Sequence, residues 1–136
     1  MLLVRDIMTK SVLTLAKDTP LTDAANTLSN MGVSGAPVCD ESGRVIGVFS
    51  KSDIVTKLAD GTPASELTVG SLMAGRVFSV RPEDPLKTAV WLMVFENVHR
   101  LMVVGDDGKL AGILTPMDVL KGMVNGAIAT TSLEDQ

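Results

Sequence analysis

The 136-residue chain is short of the residues that most often carry chemistry, with one cysteine, one histidine, one tryptophan and no tyrosine. A single cysteine closes no intrachain disulfide. Cys39, inside Ala36-Pro37-Val38-Cys39, reads as a small residue of a buried strand rather than a reactive thiol. One histidine and one cysteine build no recognisable zinc site. There is no Gly-x-Ser-x-Gly turn, no Gly-x-x-x-x-Gly-Lys-Ser/Thr loop and no His–Asp spacing that suggests a catalytic pair, so the chain is not expected to be an enzyme. A basic excess is also missing. Twelve Lys and Arg stand against 16 Asp and Glu, a net charge of −4, which argues against a general nucleic-acid binder. The longest apolar run, Ala89 to Phe95, falls far short of the roughly 20 residues a membrane helix needs. The N-terminus puts its apolar residues before its charges and resembles no secretion signal. A cytoplasmic protein without membrane insertion is expected.

What the chain has is apolar residues, at 46%, and a mean hydropathy of +0.31. That is enough for a large core and an oligomer interface. It also repeats itself. Gly47-Val-Phe-Ser50-Lys-Ser-Asp53 recurs 65 positions on as Gly112-Ile-Leu-Thr115-Pro-Met-Asp118, and Asp18-Thr-Pro20-Leu21 recurs as Glu83-Asp-Pro85-Leu86. A repeat of this length is one supersecondary unit used twice.

Each copy is predicted to run as extended segment, helix, strand, tight turn, strand, helix. In the first, Val12 to Leu15 is extended, and Thr19 caps a helix that begins at Pro20 and carries Leu21, Ala24, Leu28 and Met31 on one face. Gly32 stops it. Ala36 to Cys39 and Val45 to Phe49 flank the turn Asp40-Glu-Ser-Gly43-Arg44 as a hairpin, and Ser50 to Leu58 is a second helix. In the second copy, Val77 to Val80, a helix capped by Asp84 with Pro85 at its start, strands Leu101–Val104 and Leu110–Leu114, and a helix from Thr115 to Met123 repeat the order. Trp91 stands where the first copy has Asn26, off the main apolar face, which suits a dimer contact better than a stacked ligand.

The repeated Gly-h-h-Ser/Thr-x-x-Asp, with h apolar, ends a strand and puts a hydroxyl and a carboxylate on the first turn of a helix. Free backbone N–H groups there favour anions. A carboxylate can accept from both hydroxyls of a ribose. The same residues can also form a helix capping box, and from their chemistry alone both roles stay open for Ser50 with Asp53 and for Thr115 with Asp118. Between helix and hairpin, Ser34-Gly35-Ala36-Pro37 would let a planar base approach the backbone. The matching place in the second copy holds His99-Arg100, donors suited to phosphate.

Asp6-Ile-Met8, the Asp18-Thr-Pro20-Leu21 helix start, Gly32-Val-Ser34-Gly35-Ala-Pro37-Val38 and Gly47-Val-Phe-Ser50-Lys-Ser-Asp53 together resemble a cystathionine β-synthase (CBS) domain, and Ser71-Leu-Met73 through Asp118 resembles a second. A tandem pair is a Bateman module. The resemblance implies an α/β (α+β) fold of two β-α-β-β-α repeats packed with pseudo-two-fold symmetry. The expected boundaries are 2–58 and 68–124, a linker at 59–67 and a loose tail at 125–136. It implies clefts between the repeats for adenosine compounds: AMP, ADP or ATP, and less readily S-adenosylmethionine, NAD or a cyclic dinucleotide. By resemblance Asp53, Asp118, Ser50 and Thr115 would hold ribose. Thr14, Leu15, Ser79, Val80 and the segment Ser34, Gly35, Ala36 and Pro37 would frame adenine. His99-Arg100 resembles the phosphate-contacting pair of the γ subunit of AMP-activated protein kinase. The expected protein is a stand-alone, homodimeric nucleotide sensor acting on an unidentified protein partner. The alternative is a ligand-free scaffold for dimerisation or docking.

Overall fold

Leu21, Ala24 and Leu28 recur at helical spacing and are buried together, and Leu86, Ala89 and Met93 do the same 65 positions on. Fully burying one such leucine contributes about 1.5–3 kcal/mol, so these faces fix the helices against their sheets. The computed structural model describes residues 1–75 and 77–128; most of the expected loose tail, 129–136, lies outside the described residues. In chain order the elements are α1 (Val4–Ile7), α2 (Leu21–Met31), β1 (Gly35–Cys39), β2 (Val45–Ser50), α3 (Lys51–Ala59), a 3-10 turn (Ala64–Glu66), α4 (Val69–Leu72), β3 (Ser79–Val80), α5 (Leu86–Glu96), β4 (Leu101–Val104), β5 (Leu110–Leu114) and α6 (Pro116–Val124). This is a mixed α+β fold.

α2 ends at Gly32, whose φ of 67° is left-handed, and α5 ends at Asn97 with φ 52°. Asparagine tolerates that conformation and serves as the same stop. Pro20 and Pro85 differ from expectation. Each sits just outside its helix, with ψ of 145° and 137°, so each is the cap rather than the first helical residue. The Asp84 carboxylate accepts from the Arg81 N–H instead of capping α5.

β1 and β2 pair antiparallel, with Gly35 opposite Ser50 and a bulge between Val38 and Cys39. β4 and β5 pair likewise, with Leu101 opposite Leu114 and a bulge at Val103/Val104. The first turn is closed by Asp40, whose Oδ1 accepts from the Ser42 N–H, the Ser42 hydroxyl and the Arg44 N–H. These bonds, that of the Ser42 hydroxyl foremost, hold its carboxyl below the usual range. Parallel pairing flanks each hairpin: a single bridge sets Leu15 beside Val38, and β3 sets Ser79–Val80 beside Met102–Val103.

The far edge of each hairpin is covered by a segment that the repeat pattern alone does not reveal. Ala74 pairs with Val48 through two backbone bonds of 2.9 and 3.0 Å, and Thr9 pairs with Ile113 through two of 2.8 and 2.9 Å. Residues from the very start of the chain therefore complete the second hairpin, and residues that open the second copy complete the first. The short helices are exchanged in the same way: Val69 donates to Thr19 O, and Val4 donates to Asp84 O, both at 2.9 Å. Two compact units result, Leu13–Val77 and Met1–Val12 with the chain from Phe78. Each has its own core, one built around Leu28, Val38 and Phe49, the other around Leu86, Leu101 and Leu114.

The edge pairing explains the glycine of the motif. A Cβ on Gly112 would stand 2.5 Å from Thr9 O, and one on Gly47 would stand 2.8 Å from Ala74 O. Both obstacles are backbone and cannot rotate away. Gly112→Ala is expected to cost about 1–3 kcal/mol through overpacking and to lower the urea midpoint. Gly75→Ala, where nothing lies within 4 Å, should stay within about 0.5 kcal/mol of the parent. Equal midpoints for the two variants would refute this account.

Candidate functional site

Ser50 closes β2 and caps α3, and Thr115 follows β5 and caps α6, with Pro116 at the first helical position. At the first helix Asp53 Oδ2 accepts from the Ser50 N–H and the Ser50 hydroxyl, both at 3.0 Å. At the second, Asp118 Oδ2 accepts from the Thr115 N–H at 2.9 Å and its hydroxyl at 3.1 Å, while the Asp118 N–H donates to Thr115 Oγ1 at 3.3 Å. Capping boxes are therefore present at both places, and aspartate is long enough to close them. Only one carboxylate oxygen is used in each. The remaining oxygens differ. Asp118 Oδ1 accepts from the Thr9 hydroxyl at 2.8 Å. The equivalent position in the other unit is Ala74, which has no hydroxyl, and among the described residues Asp53 Oδ1 takes no hydrogen bond.

The backbone of the first unit sets Ser34 and Gly35 beside Ser50 and pairs Leu15 with Pro37. Gly35 lies opposite Ser50, the Lys51 N–H donates to Ser34 O at 2.9 Å, and the Leu15 N–H donates to Pro37 O at 2.9 Å. The side chains of Leu15, Ala36 and Pro37 are buried in the core, so these residues can offer a ligand only their backbone; Thr14 and Ser34 are exposed. In the other unit Val80 is buried and Ser79 exposed. Pro116 has no N–H with which to repeat the bond to residue 99.

His99 and Arg100 directly precede Leu101, whose strand partner Leu114 directly precedes Thr115, so the basic pair stands beside the second hydroxyl–carboxylate pair. His99 is exposed and Arg100 half-buried. Burial lowers the Arg100 pKa, and a guanidinium with so high a starting value stays charged at neutral pH. His99 also lies at a groove of about 430 Å³ lined chiefly by apolar residues of α5 and α6, among them Val90, Met93 and Leu120.

Cys39 is a free, partly buried thiol at the end of β1. Burial, and then the Asp40 charge, push its pKa up. Trp91 is 48% exposed and stacks on Phe95, ring centroids 5.0 Å apart, with Phe95 itself 74% exposed. Among the described residues there is no cluster of metal-ligating side chains and no helix long and apolar enough to cross a membrane.

The family model of the CBS domain matches residues 4–60 and again 69–125, and the chain belongs to the CBS domain family. An uncharacterised protein of Methanocaldococcus jannaschii is 30% identical over 118 residues, covering 87% of this chain and 28% of that one. The γ subunit of 5′-AMP-activated protein kinase from Saccharomyces cerevisiae is 32% identical over 116 residues, covering 80% of this chain and 36% of the subunit. The chain thus spans well under half the length of both. Among solved structures, CBSX2 in complex with AMP superposes with a TM-score of 0.80 at 31% identity, covering 93% of this chain and 98% of that chain. The CBS domain pair of M. jannaschii MJ0100, in complex with 5′-methylthioadenosine and S-adenosyl-L-methionine, gives 0.77 at 26%, covering 88% and 98%.

Two outcomes follow from the site's geometry. Thr115→Ala removes both cap bonds of its hydroxyl and is expected to cost about 0.5–2 kcal/mol in chemical denaturation, with Thr115→Ser restoring most of it. Because the raised pKa leaves less thiolate at Cys39 than in a free thiol at the same pH, iodoacetamide should label it more slowly than a cysteine peptide at pH 8. Labelling at the peptide's rate would contradict the burial assigned to it.

Proposed function

We propose that this CBS-domain pair binds an adenosine-containing nucleotide and works as a regulatory module rather than as an enzyme. The observation that carries the reading is the repeated hydroxyl–carboxylate pair, in which the helix cap consumes only one oxygen of each aspartate. Asp53 and Asp118 then take the ribose hydroxyls, with Ser50 and Thr115 beside them. The backbone of Leu15 and Gly35 to Pro37, with Thr14, Ser34, Ser79 and Val80, borders the base, and His99 and Arg100 meet phosphate. Two structural relatives bound to AMP and to methylthioadenosine with S-adenosylmethionine support an adenosine-type ligand. The preferred candidates are AMP, ADP and ATP. The expected setting is the cytoplasm, and the output passes through a protein partner or a rearranged dimer: ligand favours whichever conformation it binds better.

A second copy of the chain is the proposed cover for the exposed Trp91, Val94 and Phe95 of α5. Such a set of large apolar side chains on one helix is costly to leave in water. A ligand-free scaffold is the competing reading, and the observation in its favour is that both aspartates already complete a capping box.

Ligand melts separate the two. A ligand bound only by the native state at 100 times its Kd adds about 2.7 kcal/mol, which is readily seen as a rise in Tm. AMP, ADP or ATP at millimolar concentration is expected to raise the Tm, and Asp53→Ala to reduce that rise while leaving the fold intact. No shift with any adenosine compound would sink the sensor reading. For the dimer, Phe95→Glu should move the protein toward monomer in sedimentation equilibrium; a parent already monomeric at high concentration would rule the dimer out.

A further inference from the structure

We propose that Thr9 sets the order in which the two aspartates are used, so that a nucleotide's ribose diol fills Asp53 first and Asp118 only at higher concentration. This rests on the nucleotide reading above and adds to it a specificity-determining residue outside the repeated motif. A carboxylate has about four acceptor sites, two on each oxygen. At Asp53, the Ser50 N–H and hydroxyl occupy Oδ2, and both sites of Oδ1 stay open to incoming donors among the described residues. At Asp118, the Thr115 N–H and hydroxyl occupy Oδ2, and the Thr9 hydroxyl occupies one site of Oδ1 at 2.8 Å. A vicinal diol brings two O–H donors. Asp53 can accept both, whereas Asp118 can accept one unless Thr9 gives way.

Thr9 is held where it is by its own backbone. Its N–H and C=O both bond to Ile113, so the residue cannot drift from the carboxylate, and the side chain must break a charge-assisted bond to make room. Ala74 is fixed in the same way against Val48 and presents only a methyl. The difference between the units thus comes down to one hydroxyl at one register position. Displacing a hydrogen bond to a charged group is expected to weaken binding by about tenfold or more.

The test is isothermal titration of the full chain with AMP and with 2′-deoxy-AMP. The parent is expected to show a tighter and a weaker class of AMP site, the tighter one lost in Asp53→Asn and retained in Asp118→Asn. Thr9→Val, which keeps the shape and removes the hydroxyl, should tighten the weaker class about tenfold, and Thr9→Ser should not. Ala74→Thr should weaken the tighter class. With 2′-deoxy-AMP, which has one hydroxyl to donate, the effect of Thr9→Val should largely vanish. The inference is overturned if AMP binds but Thr9→Val and Ala74→Thr leave both classes unchanged, or if Asp118→Asn abolishes the tighter one. If AMP, ADP and ATP bind to neither the parent nor any variant, the nucleotide reading itself fails and takes this inference with it. Melting curves without ligand, in which Thr9→Val is expected to melt somewhat below the parent in one cooperative transition because it lacks the bond to Asp118, separate lost binding from lost folding.

Discussion

The antiparallel pairing of two short segments with the outer edges of two hairpins holds the rest in place. Thr9 against Ile113 and Ala74 against Val48 each form a closed pair of backbone bonds, and each lies over a glycine whose missing Cβ leaves room for the crossing chain. An open strand edge is a liability because its N–H and C=O groups seek partners. Here the partner comes from the opposite end of the repeat order. Once it is seated, Met8 and Met73 lie against the glycines, α1 and α4 dock beside the helix starts, and a hydroxyl or a methyl is delivered beside the aspartate.

Helix capping takes one oxygen of each aspartate, and the ligand recognition proposed for these residues would draw on the other. Oδ2 turns back to the Ser or Thr and closes the first turn, while Oδ1 faces away from the cap. A glutamate could close the same box, but its extra methylene would place the second oxygen differently. Aspartate is short enough that the cap holds the whole carboxylate at a fixed angle.

Much of this was legible from the chain. α2 and α5 followed from apolar spacing, both hairpins from turn residues between short apolar runs, and the duplication from a constant 65-residue offset. α1 and α4 were not, because four-residue helices carry no measurable periodicity. Asp6 looked like part of a family motif, and its role is local, with its carboxylate accepting the Leu3 N–H at 2.8 Å. The Thr9–Asp118 bond spans 109 positions, beyond any spacing rule. His99 and Arg100 were legible as a departure from symmetry. That they stand next to Thr115 required the strand register.

The exchange of edge segments also has a temporal side. The unit Leu13–Val77 is continuous in sequence, so a growing polypeptide carries everything that unit needs once Val77 has left the ribosome. The other unit joins the first twelve residues to the chain from Phe78. Val4, fully buried in the finished core, is made long before Leu101 and Leu114, which belong to the same core. Loop closure across that distance is slow relative to local contacts. The segment 1–12 finds its unit's partners only in the chain from Phe78 onward, so the two halves of the duplication are assembled over different sequence separations.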